Sequence, residues 1–172
     1  MLEMNRVAAL AALAGAAVAV SAQTDIDWVG GTSNWNNAAN WSPADIPNTA
    51  LENARILAPA FAVVQGDLSA SIGQLVVAAD LTLELDPNRA LFVNGGVINN
   101  GMIVLNPTTS GGNATIRFDA SGSLTGTGTL RLAGGTDDAR LDSSASTVTN
   151  VLGHTIDGAG QIPAQLINNS LV

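Results

Sequence analysis

Along most of this chain, apolar residues come in short alternating bursts, and Gly, Asn or Asp closes each burst. Leu81-Thr82-Leu83-Glu84-Leu85 is the plainest case. Its period of two sets Leu81, Leu83 and Leu85 on an inward face and leaves Thr82 and Glu84 to water, which predicts a half-buried β-strand. Thr115-Ile116-Arg117-Phe118-Asp119 repeats the pattern with Ile116 and Phe118 inward, and Leu130-Arg131-Leu132 does so more briefly. Earlier strands are expected over 53–57 and 61–65, on either side of Ala58-Pro59. Another is expected over 68–79, carrying Ile72 and Leu75-Val76-Val77 with Gly73 as a bend. Asp86-Pro87-Asn88-Arg89 is a turn, after which Leu91-Phe92-Val93 starts a new face. Gly95-Gly96, Gly111-Gly112 and Gly134-Gly135 read as corners. From Gln23 onward no segment carries a helical period, so the expected class is all-β.

The bursts resemble one another. Val97-Ile98-Asn99-Asn100 returns as Leu166-Ile167-Asn168-Asn169, and Leu124-Thr125-Gly126-Thr127-Gly128 returns as Ile156-Asp157-Gly158-Ala159-Gly160. Strand-and-turn units that cannot bury a face alone are the mark of a solenoid, in which neighbours stack to make one core. The predicted fold is a right-handed parallel β-helix, with Asn99, Asn100, Asn168 and Asn169 at corners where amides stack along the axis. The Asn99-to-Asn168 interval suits three coils of roughly 23 residues, a common repeat length. The Gly-x-Gly interval does not, so irregular coils are expected. The alternative is an antiparallel β-sandwich, for which Asn100-Gly101 and Asp157-Gly158 supply hairpin-type turns.

The first 22 residues break the pattern. After Arg6, an unbroken run of small and apolar residues spans Val7 to Val20, and Val20-Ser21-Ala22 offers small residues for cleavage. This is the layout of a secretory signal peptide cut after Ala22. The run is shorter than the ~20 residues that span a bilayer, so no membrane insertion is expected once it is removed. An extracellular or cell-surface location follows. The organisation expected is residues 1–22 as leader, 23–60 as an N-terminal cap and 61–172 as solenoid rungs.

Composition narrows the partners. The formal net charge is −8, and all the basic residues are Arg. Such a surface repels phosphate backbones, which excludes nucleic acid as a partner. Cys is absent, so neither disulfides nor thiolate metal sites hold the fold.

The three Trp residues, Trp28, Trp35 and Trp41, crowd into the segment just before the rungs. One reading makes them a plug for the open end of the solenoid, whose first rung would otherwise show apolar surface and unpaired strand edges. The other makes them a platform for sugar rings, because aromatic faces combine apolar area with a polar rim. The arrangement Trp28-x-Gly30-Gly31-x-x-x-Trp35, then Asn40-Trp41-Ser42 and Pro47, followed by Gly/Asn-punctuated strands, resembles large secreted bacterial surface proteins. These carry autotransporter-associated β-strand repeats or filamentous-haemagglutinin-like β-helices. The resemblance implies a non-enzymatic scaffold for adhesion or display, an autotransporter-passenger-like role, with surface glycans or other copies of itself as partners. Proteins of that kind are longer and end in a barrel or sorting tag, and Ser170-Leu171-Val172 stops in mid-pattern, so a fragment is expected.

Reaction chemistry is sparse. His154 is the only histidine, and Gly153 and Thr155 beside it suggest a solvent-exposed or corner position. Asp137, Asp138 and Asp142 form the densest acidic stretch. They can be read as oxygens for Ca²⁺ or as a carboxylate pair of a β-helix polysaccharide lyase or hydrolase, but their spacing fits no known calcium loop. No catalytic residue, resident cofactor or metal is expected, with glycan binding by the Trp cluster and a Ca²⁺ site as the alternatives.

Overall fold

The computed structural model describes residues 22–170 apart from 110, 136, 137 and 145. The leader assigned to residues 1–22 therefore lies, but for Ala22, outside the described residues, as does Asp137.

Strands numbered along the chain fall into three sheets, and each sheet collects about every third strand. Sheet A stacks β1 (Thr24–Trp28), β4 (Glu52–Ile56), β7 (Leu75–Val77), β10 (Val97–Asn99), β13 (Gly122–Thr125), β16 (Thr147–Asn150) and β18 (Gln165–Asn168), with β3 (Trp41–Ser42) beyond β1. Sheet B stacks β2 (Ser33–Asn34), β5 (Val63–Gly66), β8 (Thr82–Leu85), β11 (Met102–Leu105), β14 (Thr129–Leu132) and β17 (Thr155–Gly158). Sheet C stacks β6 (Ala70–Ile72), β9 (Ala90–Val93), β12 (Ala114–Phe118) and β15 (Ala139–Ser143). The chain visits the sheets in rotation, giving a β-solenoid of about five turns. Every ladder among the described residues is parallel except β1–β3. Hairpins do not build this molecule, and the sandwich alternative falls.

The alternating residues supply the core. Leu81, Leu83 and Leu85 are buried, as are Ile116, Phe118, Leu130 and Leu132. In register, Val64, Leu83, Ile103 and Leu130 form one continuous inward column of sheet B. A buried aliphatic side chain contributes roughly 1.5–3 kcal/mol through removal of its surface from water. No single coil can bury that surface alone, so each coil depends on those above and below.

Coil length varies, and the variation sits at corners. Down sheet A the register runs Ala54↔Leu75, Leu75↔Val97, Val97↔Leu124, Leu124↔Asn150 and Asn150↔Asn168. The steps are thus 21, 22, 27, 26 and 18 residues. The β8–β9 connection occupies only 86–89, whereas the equivalent β11–β12 connection occupies 106–113. Buried Asn106 holds that longer loop, donating from Nδ2 to Gly112 O at 3.2 Å.

This register corrects two expectations. Asn99 and Asn168 are not equivalent, because Val97 rather than Asn99 shares the column of Asn150 and Asn168. An amide stack exists, but between neighbouring coils: Asn150 Nδ2 donates to Asn168 Oδ1 at 2.9 Å. The two Gly-x-Gly runs also mark different corners. Gly126 and Gly128 precede a sheet B strand, while Gly158 ends one and pairs with Leu132. At Gly128 an added Cβ would lie 2.3 Å from Gly101 O, so backbone of the preceding coil occupies that space.

Salt bridges on the exterior follow the same register. Arg131 donates to Asp157 from Nε at 3.1 Å and from Nη2 at 2.8 Å, and the two are ladder partners. Arg55 bonds both Asp25 and Asp27 across β1 and β4. The hydrogen bond from Arg55 holds the Asp27 carboxyl below its usual range, and Arg131 does the same for Asp157. These contributions are present above the ordinary carboxylate range and are lost as pH falls below it. Exposed pairs of this kind are screened by solvent and contribute little, so the core outweighs them.

Ile103→Ala is expected to cost about 2–5 kcal/mol by opening a cavity in the sheet B column. Arg131→Ala should cost far less, because its ion pair with Asp157 is exposed and screened by solvent. Urea unfolding of both variants checks this ranking, and a reversed order contradicts it.

Candidate functional site

Each Trp is brought to the N-terminal end of the stack by a separate short element. Trp28 closes β1, Trp41 opens β3, and the antiparallel register sets them opposite each other. Trp35 follows β2 and precedes a short 3₁₀ turn, Ala38–Asn40, capped by the Asn37 side chain accepting from Ala39 N at 3.1 Å. The rings of Trp28 and Trp41 meet edge-on with centroids 4.9 Å apart, and those of Trp35 and Trp41 at 4.8 Å. Such edge-to-face pairs add about 0.5–1.5 kcal/mol beyond area burial.

Every indole N–H finds a carbonyl. Trp28 donates to Gly31 O at 3.2 Å, Trp35 to Pro47 O at 3.3 Å and Trp41 to Trp35 O at 2.9 Å. Each Trp is only 2% exposed. A sugar platform needs exposed ring faces, and these faces lie against one another and against the core.

The cluster also closes backbone edges. Asn40 O accepts from Val29 N at 2.8 Å and from Gly30 N at 3.2 Å, while Asn40 Nδ2 donates to Asn34 O at 2.9 Å. The backbone just past β1 and a carbonyl of β2 are thus both satisfied by one asparagine. A free strand edge is a template for pairing, and this end of the solenoid is blunted. At the other end lies a cavity of about 230 Å³ lined by Asn150, Thr155, Ile156, Ile162, Leu166, Asn168 and Ser170.

Of the acidic stretch, Asp138 and Asp142 are among the described residues, and each has its own partners. Asp142 flanks Arg140 at 3.7 Å and accepts from Ser143 N at 2.8 Å, while Asp138 contributes its backbone carbonyl to Ala114 N. Among the described residues no group of three or more His, Cys, Asp or Glu is disposed to hold a metal ion.

His154 sits at a corner, between β16 and β17, but it is fully buried rather than solvent-exposed. It belongs to a polar cluster with buried Asn99 and Asn150 inside an otherwise aliphatic stack, and exposed Asn168 joins the cluster from its edge. Burial pushes its pKa down to about 4, so the ring is neutral at neutral pH. Sequence reasoning missed this group because its members lie in different coils. The alignable signal was the polar residue at the inward position of Val148-Thr149-Asn150, where the preceding coils place Leu75, Val97 and Leu124.

Fold and interior together define a β-solenoid repeat protein with an aromatic N-terminal cap. No protein-family model, curated protein or solved structure matches the chain significantly.

Trp41→Ala is expected to cost about 3–5 kcal/mol, since Trp41 contacts both other rings. In the intact protein, indole emission should be of the buried type and unresponsive to soluble polysaccharides. Quenching or a shift on adding polysaccharide would place sugar against these rings and contradict a purely structural cap.

Proposed function

We propose that the chain is an exported, non-enzymatic scaffold that presents its polar flanks for adhesion or surface assembly, in the manner of an autotransporter passenger. The observation that carries this reading is the continuous three-sheet stack, whose outward positions mix Thr, Ser and paired charges with a few apolar residues such as Val76 and Ile98. Stacked coils with a shared core form an elongated surface of fixed side-chain spacing, suited to repeated weak contacts with glycans or with further copies. The apolar run and small-residue cleavage motif at Val20-Ser21-Ala22 support export. Acidic surface charge disfavours anionic polymers and lipid headgroups as ligands.

Expression of the full chain in a bacterial host able to export it tests the reading. The mature protein should begin at Gln23 and be digested by protease added to intact cells. Retention in the cytoplasm with Met1 still attached would overturn it. Polysaccharide cleavage that is lost in Asp138→Ala would replace the scaffold with an enzyme.

A further inference from the structure

Both ring nitrogens of His154 are committed. Nδ1 lies 2.8 Å from Asn150 Oδ1, an atom that only accepts, so Nδ1 carries the proton. Nε2 lies 3.2 Å from Asn99 Nδ2 and accepts from it. The Asn99 amide is oriented by two other bonds, Nδ2 to Thr129 O at 3.0 Å and Gly101 N to Oδ1 at 3.1 Å. Turning it over would set oxygen against carbonyl and NH₂ against N–H. The Asn150 amide is fixed likewise, donating to His154 O at 3.2 Å and to Asn168 Oδ1 at 2.9 Å. Asn168 Oδ1 in turn accepts from Ser170 N at 3.2 Å. A chain of side chains thus runs from β10 through the β16–β17 corner to β18.

Among the described residues nothing charged faces this ring to accommodate a second proton. Its side-chain partners from β10 and β16 are Asn99 and Asn150, and β18 adds Asn168 behind Asn150. From β14 comes the Thr129 carbonyl, which engages the Asn99 amide. Gly101 and Gly128 precede Met102 and Thr129, the register partners of Thr155, so they hold the place of His154 in earlier coils without a side chain. Arg131 and Asp157 lie on the outer side of β14 and β17, opposite buried Leu130 and Leu132, and bond each other. A proton on Nε2 would therefore point at an amide N–H.

We propose that His154 is an acid-sensitive latch, whose protonation breaks the Asn99–His154–Asn150–Asn168 chain and releases the last described coil, β17 and β18, from the coils before it. Release uncovers the ladder edges of β14 and β16, to which those strands pair. The sign follows from linkage: the folded coil prefers the neutral ring, and the freed coil carries an ordinary histidine. Attachment is complete above the usual histidine range near ~6.5 and weakens as pH falls from there toward about 4.

Hydrogen exchange of the full chain between about pH 7 and about pH 4.5, corrected for intrinsic rates, tests the latch across the window where histidine changes charge. Protection of residues 155–168 should fall by up to about tenfold per pH unit below ~6.5, while residues 97–105 keep theirs. In His154→Gln, which cannot gain a proton, the selective loss should vanish. An equal loss in both proteins, or none in the unmodified chain, overturns the proposal. Should His154→Gln fail to fold, the unmodified protein's single imidazole still decides by NMR. A ring titrating below the usual range together with loss of coil protection supports the latch. A ring titrating at the usual value, with protection unchanged, refutes it.

Discussion

The constraint on which everything else rests is the backbone ladder that runs along the solenoid axis. Each strand pairs with its counterpart one coil away, so successive coils must rise by the same ~4.8 Å and return to the same three sheet positions. Backbone N–H and C=O groups cannot be left unpaired inside such a stack. Residues inserted into a coil must therefore leave at a corner, as the longer β11–β12 connection does. The inward positions are then forced into columns, and a column of Leu, Ile and Val is what the core consists of.

Termination is the harder problem for this architecture, because a stack of parallel strands has two open edges. At the N-terminal end the answer is chemical as well as steric. The only antiparallel ladder among the described residues, β1–β3, folds Trp41 back over Trp28, and Asn40 bonds both the backbone just past β1 and a carbonyl of β2. Three indoles provide the bulk that one more aliphatic coil would have supplied. Near the other end the interior changes character. Asn99 and Asn150 stand where aliphatic side chains line the preceding coils, and His154 fills a corner that Gly101 and Gly128 leave without a side chain, the three joined by hydrogen bonds rather than by dispersion alone. A buried polar network specifies one arrangement more sharply than apolar packing does, and it loses more when one member changes charge.

Much of this was legible in the amino-acid order, and the limits have physical reasons. Alternation in Leu81–Leu85 and in Thr115–Asp119 reveals strands and their inward faces, because side-chain direction in a strand depends only on parity. Clustering of Trp28, Trp35 and Trp41 ahead of the rungs points to a cap for the same local reason. Register is a different matter. Asn99 and Asn168 look equivalent in the linear text, yet coil steps of 27, 26 and 18 residues shift one against the other. Gly126 and Gly158 look alike and occupy opposite ends of a sheet B strand. His154 reads as a turn residue, since Gly153 and Thr155 say nothing of the coil beneath that buries it. What pairs across coils is fixed by loop lengths summed over whole turns, and similarity of short motifs does not carry that sum.

The stacking itself is open to one decisive measurement. Nuclear Overhauser contacts across the ladders report which backbone protons face each other. The parallel register predicts inter-strand Hα–HN contacts linking Val97 with Leu124 and Ile103 with Leu130. It also predicts close Hα–Hα pairs only between β1 and β3 among the described residues. Close Hα–Hα pairs between sequence-adjacent strands elsewhere, such as β10 with β11, would mean hairpins and would contradict the solenoid.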